Sequence, residues 1–242
     1  MALFKSTFKA LINLIYPLSC QVCKIELDPE NERYLCEACL EKIRGNPPPF
    51  CEKCGRSLPG GEGTYICGEC QKINYYFNRA GAPCLYEGVI KDCIHLLKYS
   101  KKLCLIGPLS QLMVDFAKTY LDITSIDLVV PIPLHSVKLR EREFNQAELL
   151  ARRIKASLGT PLISNNLRRI KLRPPQTTLS RKERLVNLEG AFKAKFPNQF
   201  RKMSILLIDD VFTTGATANE SSKVLLDAGA KKVDVLTLAR GG

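Results

Sequence analysis

The chain has 242 residues, of which 45% are hydrophobic and 25% charged, and a formal net charge of +12. That is enough chain for one α/β domain with a full core plus a smaller attachment, or for two modest domains. No apolar stretch reaches the ~20 residues that a membrane-spanning helix needs, so no span is expected.

At the N-terminus, "MALFKSTFKALINLIYPLSC" has Lys5 and Lys9 among its apolar residues and no small-x-small cleavage motif, which predicts a cytoplasmic protein rather than an exported one. Phe4, Phe8, Leu11, Ile12 and Ile15 follow the stripe of one helix face. That helix is expected to pack on its own domain; with two lysines, attachment to a membrane surface is the weaker alternative.

Eight of the eleven cysteines form four Cys-x-x-Cys pairs, Cys20/Cys23, Cys36/Cys39, Cys51/Cys54 and Cys67/Cys70. Each half reads C-x2-C-x12-C-x2-C, and the second lies 31 residues after the first, which is an internal duplication. Two thiolates separated by two residues can turn their sulfurs onto one ion, and two such knuckles make a tetrahedral site suited to zinc. Sequential pairing puts Cys20, Cys23, Cys36 and Cys39 on one ion and Cys51, Cys54, Cys67 and Cys70 on another; an interleaved pairing is the alternative. Iron, or disulfides, would use the same residues, but a reducing compartment disfavours the latter. Gly55, Gly68 and "RSLPGGEGTY" supply the turns. Cys84, Cys93 and Cys104 lie in apolar surroundings and read as core thiols. So small a module is held mainly by metal, and residues 1–79 are expected to form a unit with its own core, serving as a scaffold or as a surface for nucleic acid or a partner chain.

Residues 80–242 alternate between strand and helix. "PCLYEG", "IDLVVPIP", "MSILLIDD" and "KKVDVLTLA" read as strands; "VIKDCIHLLKYS", "GPLSQLMVDFAKTYL", "NQAELLARRIKASLG" and "ATANESSKVLLDAG" read as helices. The fold class is therefore α/β, a mostly parallel sheet with helices on both faces, whose ligands bind outside the carboxyl ends of the strands. Residues 160–202 break the alternation and predict a long excursion, a hairpin over the site. Charge is concentrated in residues 138–202, where 17 basic residues face 5 acidic ones, while the other segments are nearly balanced. A polyanion or phosphate groups would match that segment; a solvated basic face is the alternative.

In "LLIDDVFTTGATANE" an apolar run, residues 205–208, ends in Asp209 and Asp210, placed at the carboxyl end of a strand buried on both faces. Carboxylates accept from hydroxyl donors such as a sugar diol. Gly215 lets backbone approach closely, and Thr213, Thr214 and Thr217 bring hydroxyls to the start of a helix, which is a cradle for phosphate. Diol and phosphate together describe a ribose 5-phosphate site. A P-loop is excluded because G-x-x-x-x-G-K-[ST] is absent; an acid pair that merely caps the following helix is the alternative.

Four apolar residues, two acids, two apolar residues and Thr-Thr-Gly-x-Thr resemble the signature of type I phosphoribosyltransferases. With "VVPIPLHSVKLREREFNQAELLA" (129–151), "RRIKLRPPQTTLSRKERLVNLEGAF" (168–192), the terminal "VLTLAR" and the double ribbon, nearly the whole chain is similar to the ComF family of competence-associated phosphoribosyltransferase-like proteins. The resemblance implies a type I phosphoribosyltransferase fold that binds 5-phosphoribosyl 1-pyrophosphate with Mg²⁺. Asp209 and Asp210 would be the catalytic carboxylates on the ribose hydroxyls. Val211, Phe212, Thr213, Thr214, Gly215, Ala216 and Thr217 would surround the 5-phosphate, and Leu134 and His135 of "PIPLH" the pyrophosphate. Lys98, Lys101, Arg140, Arg142 and the stretch Arg181–Arg184 are candidates to steady the departing charge. The resemblance further implies handling of single-stranded DNA in natural transformation, with a DNA-uptake helicase or recombination protein as partner. Arg140, Arg142, Arg168, Arg169, Arg173, Arg181, Lys182 and Arg184 would meet DNA phosphates, and Phe144 or Phe192 a base. Whether phosphoribosyl transfer occurs is left open. A metabolic transferase acting on a nucleobase or amine and a zinc adaptor with a degenerate transferase domain are the competing readings. His95, on a helix among leucines, reads as core.

Overall fold

A computed structural model of the protein describes residues 17–28, 33–60, 65–172 and 188–241. The expected N-terminal helix, together with Arg173, Arg181, Lys182 and Arg184, lies outside the described residues. In each ribbon the second knuckle is closed by a short helix that starts right after a cysteine: α1 (Glu37–Glu41) after Cys36 and α2 (Gly68–Gln71) after Cys67. One helical turn carries the next cysteine, Cys39 or Cys70, back beside its partner. Gly55 is required where the second ribbon meets the sheet: its φ is +65°, and a Cβ there would lie 2.4 Å from the Ala80 carbonyl oxygen.

The rest of the chain runs β1 (Arg79–Gly81), β2 (Cys84–Leu85), α3 (Gly88–Ser100), α4 (Ile106–Tyr120), β3 (Leu128–Pro131), α5 (Ser136–Arg142), α6 (Gln146–Leu158), β4 (Leu167–Arg169), β5 (Phe192–Ala194), β6 (Ser204–Phe212), α7 (Ala216–Asp227) and β7 (Lys232–Arg240). The main sheet has the order β1-β7-β6-β3, with β2 continuing along the same edge of β7, and every pairing in it is parallel. β4 and β5 form a separate antiparallel pair, the hairpin expected within residues 160–202. Helix α6 shows how local chemistry sets the elements: Asn145 Oδ1 accepts from the Ala147 N–H, Gly159 ends the helix at φ +69°, and Ala147, Leu150, Ala151 and Ile154 form its buried stripe. Short α5 buries no residue, so apolar periodicity does not reveal it.

A parallel sheet covered on both faces reads as a continuous apolar run, and strand alternation then sorts its residues. Leu206 and Ile208 of β6, with Leu236 and Leu238 of β7, pack in one cluster with Ile90, Leu109, Met113, Leu150 and Ile154. Ile205 and Leu207, with Val233 and Val235, pack in the other with Leu225 of α7 and Phe192 of the hairpin.

Two expectations need correction. β6 does not stop at its acids: it stays paired with β7 as far as Phe212↔Arg240, while β3 ends at Pro131 opposite Ile208. Asp209 and Asp210 therefore sit within a strand that has lost its neighbour on one side. Among the described residues, moreover, the ribbons have no separate core. Cys20, Leu27, Leu35 and Cys39 share the cluster of α3 and α4, and Cys51, Cys54, Cys70, Tyr75 and Phe77 share that of β7 and α7. Modules of this size bury too little on their own, and docking on the sheet domain supplies the missing surface. Buried Asn46 fastens the second ribbon by donating to the carbonyls of Gly55 (2.8 Å) and Ala82 (3.0 Å).

Cys84 and Cys93 are buried, and burial pushes both thiols up to about 12, in keeping with inert core residues. Among the described residues no helix is long and apolar enough to cross a membrane.

Candidate functional site

Among the described residues two sets of four cysteines each have all sulfurs within 4.8 Å of one another, Cys20/Cys23/Cys36/Cys39 and Cys51/Cys54/Cys67/Cys70. The fold thus builds the sequential pairing. The sulfurs of Cys23 and Cys36 are 3.5 Å apart and those of Cys54 and Cys67 3.8 Å. Ligands at about 2.3 Å from a tetrahedral zinc lie about 3.8 Å from each other, so both sets fit structural zinc. The Cys67 N–H also donates to Cys51 Sγ (3.3 Å). Burial raises the Cys54 thiol, but the Arg56 N–H and the Arg240 guanidinium outweigh it and bring it to about 7. Burial and the neighbouring sulfurs push Cys39 and Cys70 far up. A divalent cation completes a set whose last thiol resists ionisation.

At the open side of β6 the two carboxylates point to opposite faces of the sheet, as alternation requires. Asp210, 4% exposed, forms an ion pair through Oδ2 with Lys98 Nζ of α3. The Tyr86 phenol lies close to this pair, and burial raises its pKa. Asp209 faces the turn after β6 and senses the charge of Arg169 on β4. The Asp210 N–H donates to Asp209 Oδ1 (2.9 Å). Burial first and Asp210 second hold the Asp209 carboxyl well above the usual carboxylate range, with Lys98 offsetting part of the shift. The native state therefore keeps this proton to higher pH than the unfolded chain, and Asp209 costs stability as pH rises from about 4 through its native pKa. Asp209→Asn is expected to raise the melting temperature at pH 7. The gain should vanish near pH 4, and a gain that persists unchanged to pH 3 would refute this origin.

The turn from Thr213 to Thr217 opens α7. Gly215 occupies the N-cap at φ +79°, and a Cβ there would lie 2.6 Å from Phe212 Cζ, so the turn tolerates only glycine. Thr214 Oγ1 accepts from the Ala216 N–H (3.4 Å), Thr213 is exposed and Thr217 half-buried. With Asp209, Val211, Phe212, Ala216 and Thr237 the turn lines a small hollow. The N-cap is Gly215 and the side chain that meets the first amide of α7 is Thr214, so the acids are not there to cap the helix. From behind, the Tyr75 hydroxyl donates to the Thr214 carbonyl (3.2 Å), and Arg240 donates to the carbonyls of Thr213 (2.9 Å) and Phe212 (3.3 Å).

His135 N-caps α5, its Nδ1 accepting from the Val137 N–H (3.3 Å), which leaves Nε2 as the protonated, donating nitrogen. A bridge between His135 and Arg169 sets β4 beside the "PIPLH" loop, where Leu134 is half-buried. Arg169 is also half-buried and lies over the Phe192 ring (5.6 Å). Arg140 and Arg168 are exposed; Arg142 covers the Tyr99 ring (5.7 Å) and donates to Gln146 Oε1 (2.7 Å). Lys101 pairs with Glu143 (2.6 Å). The structure thus brings Lys98, Asp209, Asp210, Arg169 and the threonine turn together at the carboxyl end of the sheet, and it turns Arg140 and Arg168 to solvent. One expectation fails: Phe192 is 4% exposed and offers no face to a base, whereas Phe144 is half-buried against the core. Sequence reasoning passed over Tyr75, Tyr86 and Arg240. Only Arg240 carried a signal, a charge closing the apolar run "VLTLAR".

Comparison with known proteins adds the following. Residues 11–71 match the double zinc ribbon domain family. The chain is 31% identical to competence protein F of Haemophilus influenzae over 210 residues, 85% of this chain and 90% of that protein. It is 31% identical to competence protein ComFC of Bacillus subtilis over 86% of this chain and 83% of that one. With the DNA utilization protein YhgH of Escherichia coli it shares 30% identity over 94% of this chain and 99% of that one. A purine phosphoribosyltransferase from Pyrococcus horikoshii overlaps 56% of this chain and 72% of its own, at 16% identity and a TM-score of 0.34, an overlap too loose to bear on function.

Proposed function

Because the chain belongs to the ComF family of competence proteins, we propose that it binds 5-phosphoribosyl 1-pyrophosphate with Mg²⁺ and handles single-stranded DNA in the cytoplasm during natural transformation. The observation that carries the first part is the convergence of Asp209, Asp210 and the Gly215 turn where β3 stops short of β6. The amides opening α7 and the hydroxyls of Thr213, Thr214 and Thr217 suit a 5-phosphate. The carboxylates suit the ribose hydroxyls, and His135 Nε2, Arg169 and Lys98 suit the pyrophosphate end. Mg²⁺ bound with the substrate would neutralise pyrophosphate charge, and Asp209 and Asp210 are the acids able to hold it. Asp209, protonated more readily than an ordinary carboxyl, would give up its proton on binding, so affinity is expected to rise with pH through its native pKa. The relatives' names, competence protein and DNA utilization protein, support the second part, as does the basic excess in residues 138–202. A DNA-uptake helicase or a recombination protein is the partner this role calls for.

Two titrations of the zinc-loaded protein test the proposal. Calorimetry with 5-phosphoribosyl 1-pyrophosphate and Mg²⁺ is expected to show one saturable site. Anisotropy of a labelled single-stranded oligonucleotide is expected to show affinity falling steeply with salt, by about 0.7 log units per tenfold salt for each phosphate contact. Absence of the calorimetric site, or DNA binding no tighter than that of a neutral protein at moderate salt, would remove the corresponding half. Release of pyrophosphate with one of a panel of nucleobases or amines would instead favour a metabolic transferase.

A further inference from the structure

We propose that Arg240 couples the second cysteine cluster to the turn that opens α7, so that zinc in that cluster and a sugar phosphate in the turn hold each other in place, while the first cluster stands outside this coupling. The inference rests on the reading of that turn as a sugar-phosphate site.

Arg240 ends β7 and is 3% exposed. A buried guanidinium is costly unless its donors are used and its charge is balanced. Here Nε donates to the Cys54 carbonyl (3.2 Å) and Nη2 to Cys54 Sγ (3.7 Å). Nη1 donates to the carbonyls of Thr213 (2.9 Å), Phe212 (3.3 Å) and Gly241. The guanidinium lies over the Phe212 ring at 5.0 Å. Its planar fork thus holds a zinc ligand on one side and the start of the turn on the other.

Among the described residues no carboxylate pairs with Arg240. Its counter-charge is the thiolate cluster: four thiolates around one zinc ion carry a net charge of about −2, and a neighbouring cation offsets part of it. When zinc leaves, the ribbon that Nε and Nη2 of Arg240 grip loses its fixed position, and the carbonyls that Nη1 holds lose their anchor. A second tie runs alongside. Tyr75 and Phe77, which follow Cys70, stack on each other at 4.7 Å; Tyr75 donates to the Thr214 carbonyl, and Phe77 meets the Phe212 ring edge-on at 5.8 Å. Among the described residues the first cluster has no such link; Cys20 and Cys39 pack with the residues of α3 and α4.

Coupling of this kind is reciprocal. Zinc transfer to a chromogenic chelator, followed in time, reports both clusters, and Cys23→Ser, which disables the first, assigns the phases. In the wild-type protein, ribose 5-phosphate is expected to slow release from the second cluster about fivefold or more and to leave the first unchanged. Arg240→Lys keeps the charge but loses the fork. It should speed release from the second cluster without any sugar phosphate, abolish the slowing, and leave the first phase alone. Equal slowing of both phases, or an unchanged second phase in Arg240→Lys, would overturn the inference. If Arg240→Lys does not fold, the wild-type comparison decides alone. No slowing in a protein that calorimetry shows to bind ribose 5-phosphate would sink the coupling, whereas no binding at all would sink the reading of the turn beneath it.

Discussion

Loss of zinc from the second cysteine cluster, by Cys51→Ser or Cys70→Ser, is expected to unfold the sheet along with the ribbon. Zinc bound by four cysteines contributes on the order of 10 kcal/mol to folding, comparable to the whole stability of a typical domain. Cys51, Cys54 and Cys70 are buried with Leu207, Val233, Val235 and Leu225, so the cost falls on the core of β6, β7 and α7. Both variants should accumulate as insoluble or molten protein at 37 °C. Cys23→Ser, at an exposed position of the first cluster, should remain folded with a lowered melting temperature. Hydrogen exchange of the β6 and β7 amides in chelator-treated wild-type protein is the direct measurement. Protection that survives complete zinc removal would mean that the ribbon and the sheet fold independently.

The second large effect concerns the acid pair. Replacing Asp209 and Asp210 together with Asn should lower affinity for 5-phosphoribosyl 1-pyrophosphate at least tenfold, since charge-assisted bonds of about 1.5–3 kcal/mol each are lost. The two single variants should differ in stability. Asp209→Asn relieves a desolvated, repelled carboxylate, whereas Asp210→Asn orphans Lys98 and should cost about 2–3 kcal/mol. That is below the full price of a buried unpaired ion, because the Lys98 side chain keeps some solvent access (18%). Binding of single-stranded DNA should change little, because exposed Arg140 and Arg168 are retained. Undiminished sugar-phosphate affinity in the double variant would show that the acids are not part of the site; a matching collapse of DNA binding would show that the two ligands share it.

Features that depend on neighbours in the chain were legible in the sequence. The cysteine duplication specified the four knuckles, because each places its two sulfurs through local geometry alone, while the fold decided which knuckles share an ion. Apolar periodicity and capping residues marked α3, α4, α6 and α7, and the apolar run before Asp209 marked a strand buried on both faces. Gly215 among its threonines marked the turn, because a positive φ at a helix start is a local requirement. Features set by what packs against an element were decided only by the tertiary structure. Periodicity says which face is buried and not what covers it, so it showed neither that the ribbons share the sheet's core nor that Phe192 lies inside. The end of β6 depends on β7 running alongside it to Arg240 while β3 stops at Pro131, and strand length is a property of the pair. The opposite directions of Asp209 and Asp210 follow from alternation, but the ion pair of Asp210 with Lys98 joins residues far apart in the chain. Arg240 reads in sequence as a charge at the end of an apolar strand; only the fold sets Cys54 on one side of it and the site's turn on the other.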